Sequence, residues 1–155
     1  MKLIPSVIVP IIEEGQSLKK NLFNTLKNKK VVIFGVPGAF TPTCSEKHLP
    51  GFLELSNDIK SKGIDDIYCL SVNDPHVMKS WLLSYRDGKN IKGIADGNAE
   101  ISLLLDLIND KTASFMGLRC FRFALIVNDN KIIHEFIEKS ENFDVSSAKY
   151  ILSKI

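Results

Sequence analysis

Along the chain, short runs dense in Val and Ile alternate with longer stretches whose apolar residues recur every three to four positions. Runs of the first kind suit buried strands and stretches of the second suit amphipathic helices. Their alternation predicts an α/β domain with a largely parallel sheet. The segment Val31-Val32-Ile33-Phe34-Gly35-Val36 is apolar at every position and stops at Pro37, so it reads as a central strand covered on both faces. Leu49, Phe52, Leu53, Leu55 and Ile59 recur at helical spacing, which predicts a helix over 44–61, kinked at Pro50-Gly51. A second buried strand is predicted at 67–72, a helix at 75–85, a short strand at 91–95 and a helix at 98–107. Residues 122–128 and 131–138 flank Asp129-Asn130 as an antiparallel hairpin. Asp144 is placed to cap a last helix over 145–152, and residues 7–12, ahead of Glu13-Glu14-Gly15, read as an edge strand.

Composition narrows the class. A chain of 155 residues can bury its own core as one domain, 1–155, and 45% hydrophobic with 25% charged residues is ordinary for a globular protein. Twenty basic residues against 18 acidic ones leave a net charge of +2, and the cluster Lys27-Asn28-Lys29-Lys30 is too short to bind nucleic acid. No apolar stretch reaches the roughly 18 residues of a membrane span, and the N-terminus lacks the order of a signal peptide. The three cysteines match neither a disulfide framework nor a zinc pattern. The expectation is a protein of a reducing intracellular compartment, without metal, cofactor, membrane or nucleic-acid partner. That compartment is the cytoplasm, or a mitochondrion or plastid if a transit peptide has been removed.

The loop after a central parallel strand is where α/β folds place chemistry, and here it holds Pro37-Gly38-Ala39-Phe40-Thr41-Pro42-Thr43-Cys44. A cysteine in the first turn of a helix meets unpaired N–H groups and the positive end of the helix dipole, which favour its nucleophilic thiolate. Gly38 permits an unusual backbone, Pro42 stiffens the approach, and Thr41 offers a hydroxyl three residues before the sulfur. An arbitrary cysteine is more often a buried, inert one; this loop reverses that preference.

The stretch from Pro37 to Ser45, continued by His48-Leu49-Pro50-Gly51-Phe52, resembles the active-site signature of the type II, or peroxiredoxin-5-like, peroxiredoxins. The resemblance extends through Cys69-Leu70-Ser71-Val72-Asn73-Asp74, Trp81, Ala95-Asp96 and Arg122-Phe123, and so covers most of the chain. It implies a thioredoxin-like fold, a central mixed β-sheet flanked by helices, and reduction of hydroperoxides. Pro37, Thr41 and Cys44 fall on the family's catalytic pattern, with Cys44 the peroxidatic thiol. Thr41 matches the residue whose hydroxyl contacts thiolate and peroxide. Pro42 matches the proline that shields the sulfur, and the backbone near Thr43 completes the oxygen site. Arg122 matches the family's remote arginine, with Arg119 its rival. His48, four residues after Cys44, is expected at the pocket rim as a substrate-side residue with no proton-transfer role. Trp81 is read as core packing.

A sulfenic acid on Cys44 must be reduced by another thiol. Cys69 lies inside an apolar strand and is read as buried and inert; Cys120 shares a face with Arg122 if the strand extends that far. Some members of the family that the sequence resembles carry a resolving cysteine near the last helix, where this chain has Phe143-Asp144-Val145-Ser146-Ser147-Ala148. The resemblance therefore implies a one-cysteine enzyme recycled by glutathione and glutaredoxin, with Cys120 as an alternative resolver. A redox sensor that passes oxidation to a partner protein is the competing function. A Cys-x-x-Cys disulfide reductase is excluded by Thr41 at the first position. Family resemblance and the apolar loop at Phe40 suggest a homodimer.

Overall fold

A computed structural model describes residues 2–140 and 142–155. The seven-stranded sheet has the order β2-β1-β5-β4-β3-β8-β9, with β1 Ile8–Glu13, β2 Gln16–Asn21, β3 Lys30–Val36, β4 Asp66–Ser71, β5 Lys92–Ala95, β8 Phe123–Asn128 and β9 Lys131–Ile137. Only β3, β4 and β5 run parallel; every other pairing is antiparallel. The sheet is thus mixed, as the resemblance implies, and less parallel than the hydrophobic pattern alone suggests. A separate two-stranded ribbon joins β6 Ile108–Asp110 to β7 Leu118–Cys120.

Alternation along β3 explains its uninterrupted apolar run. Val32, Phe34 and Val36 face a core with Leu49, Phe52, Ile59, Met78, Trp81 and Ile151. Val31 and Ile33 face a second core with Leu22, Leu26, Ile101 and Leu125. The first layer is built from α2 Leu49–Glu54, α3 Ser56–Ser61, α4 Pro75–Leu83 and α6 Ala148–Leu152; the second uses α1 Leu22–Leu26 and α5 Glu100–Leu104. Gly35 is required by a close approach, since a Cβ there would lie 2.0 Å from the ring of Phe123.

Several boundaries depart from expectation. The N-terminal strand is not an edge: β2, a polar and mostly exposed strand with no alternation to reveal it, pairs outside β1 through the Glu14-Gly15 turn. The 44–61 helix does not kink at Pro50. Pro50 sits in the first turn of α2, and the break falls at Leu55. The helix expected over 98–107 is only Glu100–Leu104, and its turn is held by Asp96, which accepts from the Ile101 and Ser102 amides. Asp144 does not cap the last helix. Ser147 does, accepting from Tyr150 N, and α6 starts at Ala148. The hairpin turn Asp129-Asn130 has positive φ at both residues, the conformation that twists with its strands.

Candidate active site

β3 delivers the chain to Pro37 at the C-terminal end of the parallel strands, and helical backbone resumes two residues before Cys44. Three contacts shape the intervening loop. Asn73 Oδ1 accepts from Ala39 N at 2.9 Å and also from Ser71 Oγ. Thr41 Oγ1 donates to Gly38 O at 2.7 Å. Arg119 donates from Nη1 to Pro37 O at 3.2 Å and from Nε to Met116 O at 2.8 Å. The unusual backbone expected at Gly38 falls instead on Phe40, with φ 63°. Gly38 is needed because a Cβ would stand 2.9 Å from Arg119 Nη1.

Cys44 opens a π-helical turn, Cys44–His48, in which Leu49 N donates to Cys44 O. The next acceptor in that register, Ser45 O, faces Pro50, which has no N–H to give. The Tyr85 hydroxyl donates to it instead at 2.6 Å, and Trp81 Nε1 donates to Ser45 Oγ at 3.0 Å. Trp81 is buried core, as expected; that it also braces the turn carrying the cysteine is not visible in its helical spacing.

The sulfur of Cys44 is fully buried and accepts from Arg122 Nη2 at 3.2 Å. Arg122 Nη1 lies 3.0 Å from His48 Nδ1, and His48 Nε2 lies 2.9 Å from Ser146 O. A guanidinium has only donors, so Nδ1 is the bare acceptor and the imidazole proton sits on Nε2. Burial, then the charge of Arg122, push the His48 pKa down from 6.5 to about 3, with the Ser146 carbonyl opposing. His48 is therefore not at the rim. It is enclosed by Phe34, Phe52 and Phe143, with centroids 4.9, 5.6 and 5.2 Å from its ring, and meets the site through Arg122. Among the described residues no carboxylate pairs with Arg122, so its charge is directed at the sulfur and a neutral histidine.

The geometry brings Cys44, Arg122 and His48 together and gives Arg119 to the loop. Thr41, Pro37 and Thr43 are half-buried along the loop and Pro42 is exposed beside it. Cys69 and Cys120 are both fully buried. Burial, followed by the negative charge of Cys44, holds the Cys69 thiol well above its usual range; burial and Asp96 do the same to Cys120. Cys120 ends β7 in the separate ribbon, not the strand that Arg122 leads into, and its Sγ donates to Val36 O at 3.2 Å. The supporting contacts of Asn73, Ser45, Tyr85, Phe143 and Ser146 were not expected, although Ser45 and Asn73 lie within the segments that carry the family resemblance. For Tyr85 the local signal is its i, i+4 spacing from Trp81.

Residues 4–152 match the Redoxin family, and the chain belongs to that family and, within it, to the peroxiredoxins, thiol peroxidases of antioxidant function. Peroxiredoxin-2B of Arabidopsis thaliana is 44% identical over 154 residues, covering 99% of this chain and 95% of the relative. Reduced Prx3 of Vibrio vulnificus, crystallised in complex with hydrogen peroxide, superimposes with a TM-score of 0.92 at 37% identity, covering 99% of this chain and 96% of that one. The Plasmodium falciparum antioxidant protein, described as a 1-Cys peroxiredoxin, gives 0.88 at 36% identity over 97% and 94% of the two chains.

Proposed function

We propose that the Cys44 thiolate attacks the distal oxygen of a hydroperoxide. The S–O bond forms as the O–O bond breaks, leaving a Cys44 sulfenic acid and an alkoxide or hydroxide that takes up a proton. The observation that carries this reading is Arg122 Nη2 at 3.2 Å from the sulfur. The guanidinium stabilises the thiolate and then donates to the peroxide oxygens as negative charge moves onto the leaving one. Thr41 has its hydrogen committed to Gly38 O, which leaves its oxygen lone pairs to accept from the peroxide O–H. Pro37 and Pro42 shape the approach, and the amides near Thr43 complete the oxygen site.

Glutathione then reduces the sulfenic acid and a glutaredoxin removes it from the resulting mixed disulfide. This rests on two features. Both other thiols are buried and held in the weakly nucleophilic protonated form. A cavity of about 480 Å³, lined by Lys139, Asn142 and Phe143 among others, opens next to the site, where the Phe143 ring lies 6.0 Å from the Arg122 guanidinium carbon. The Plasmodium relative described as 1-Cys favours the same cycle. The setting is a reducing intracellular compartment, and one relative, rice peroxiredoxin-2E-2, is described as chloroplastic.

The decisive assay is steady-state peroxide consumption with glutathione plus glutaredoxin or with thioredoxin as reductant. Turnover is expected with the first pair, lost in Cys44→Ser and kept in Cys69→Ser. Turnover by Cys44→Ser, or with thioredoxin only, contradicts the proposal. The functional unit is a homodimer. Phe40 and Phe115, 58% and 99% exposed, stand on loops that meet where Gly38 approaches Met116, and they supply an apolar face to cover. Sedimentation equilibrium should return about twice 17.3 kDa; a monomer at all concentrations contradicts it.

A further inference from the structure

Glu138 begins a run of hydrogen bonds that ends on the Cys44 sulfur. The residue is 5% exposed. Its Oε2 accepts from Asp144 N at 2.5 Å, Ser146 N at 3.0 Å and Ser146 Oγ at 2.7 Å. Three donors on one carboxylate compensate its burial and tie down the loop that crosses the site. The carbonyl of that same Ser146 accepts from His48 Nε2, His48 Nδ1 accepts from Arg122 Nη1, and Arg122 Nη2 donates to Cys44 Sγ. Glu138 N also donates to Arg122 O at 2.9 Å. Residue 138 therefore holds Arg122 twice, directly through the backbone and indirectly at the guanidinium.

The tautomer of His48 is the sensitive link. With Ser146 O in place, the ring proton stays on Nε2 and Nδ1 faces Arg122 as an acceptor. If Ser146 O withdraws, Nε2–H loses its buried acceptor and only Arg122 still opposes the other tautomer, in which a proton on Nδ1 faces an Arg122 N–H, donor against donor. The guanidinium must then turn away from the sulfur. We propose that Glu138 is a positioning residue for the peroxide reaction: by clamping Ser146 it selects the Nε2–H form of His48, and that keeps Arg122 on Cys44. The proposal rests on the roles given above to Cys44 and Arg122.

The test uses the full chain in four forms, wild type, Glu138→Gln, Ser146→Ala and Arg122→Met, with two measurements: stopped-flow oxidation of Cys44 by hydrogen peroxide, and ring-nitrogen NMR of His48 in histidine-labelled protein. Wild type should show the Nε2–H pattern. Glu138→Gln should unfold cooperatively like wild type, yet oxidise about tenfold more slowly and show a mixture of His48 tautomers, in the range that loss of an outer hydrogen-bond partner costs at organised sites. Ser146→Ala removes one of the three donors and should lose about threefold with a smaller tautomer change. Oxidation and tautomer at wild-type values in the folded Glu138→Gln protein overturn the proposal, as does an Nδ1–H pattern in wild type. Should Glu138→Gln fail to fold, Ser146→Ala decides: unchanged rate and tautomer overturn it, and a joint change supports it. If Arg122→Met oxidises as fast as wild type, the underlying reading of the site fails, an outcome distinct from failure of the role given to Glu138.

Discussion

At the scale of single residues, the reactivity of Cys44 turns on which arginine meets the sulfur. Arg119 and Arg122 are three positions apart, and both reach the Cys44 region, but with different partners. Arg119 spends its donors on the carbonyls of Pro37 and Met116, while Arg122 directs one nitrogen at Cys44 Sγ and another at His48. Removing a donor that is already aimed at developing charge costs roughly 10²–10³ in rate at comparable sites. Arg122→Met is therefore expected to slow stopped-flow oxidation of Cys44 by about that factor, whereas Arg119→Met should chiefly loosen the loop and cost about tenfold or less. Equal effects would show that the guanidinium at 3.2 Å is not the one that matters. The distinction was open to sequence reasoning only through the family resemblance. Taken alone, a strand-start arginine is usually a surface charge, and nothing local says that this one lies against the Phe143 ring and a neutral histidine. His48 shows the same limit: four residues after Cys44 it had to lie on the same helical side, but whether at the rim or beneath it depended on Phe143, which arrives from the other end of the chain.

At the scale of elements, the parts made of apolar runs were the legible ones. β3, β4 and β5, α4 and the β8–β9 hairpin lie within a residue or two of their expected positions, because hydrophobic periodicity or turn chemistry specifies each. β2 escaped because it is polar and exposed on the sheet edge, where alternation is not enforced. The π-helical turn escaped because its register is set by tertiary partners. Pro50 withholds the N–H that Ser45 O would take, and a hydroxyl from α4's C-terminal side replaces it. That substitution is testable. Tyr85→Phe leaves Ser45 O without its donor and should reduce stability to urea by about 1 kcal/mol, the usual net worth of one such bond. It should also slow Cys44 oxidation by a smaller factor than Arg122→Met. Unchanged stability and rate would mean that the turn holds itself without Tyr85.

At the scale of the whole molecule, the mixed sheet brings to one end four segments far apart in sequence: the loop after β3, the end of β4 with Asn73, the start of β8 with Arg122, and the 138–147 connection with Ser146 and Phe143. The motif around Cys44 announced the chemistry because its loop is contiguous. The supporting shell could not be read because each member comes from a different segment, and contact between them is a product of the fold. The same architecture buries Cys69 on β4 and Cys120 at the end of the ribbon, each beneath the surface and protonated. In the proposed cycle the oxidised Cys44 is met from outside, and intact-mass analysis after one equivalent of hydrogen peroxide and excess glutathione is the sharpest check. A gain of about 305 Da is expected, mapped to Cys44 and reversed by a glutaredoxin, as for a reversible thiol cap. A loss of about 2 Da, from a disulfide linking Cys44 to Cys69 or Cys120, would contradict it.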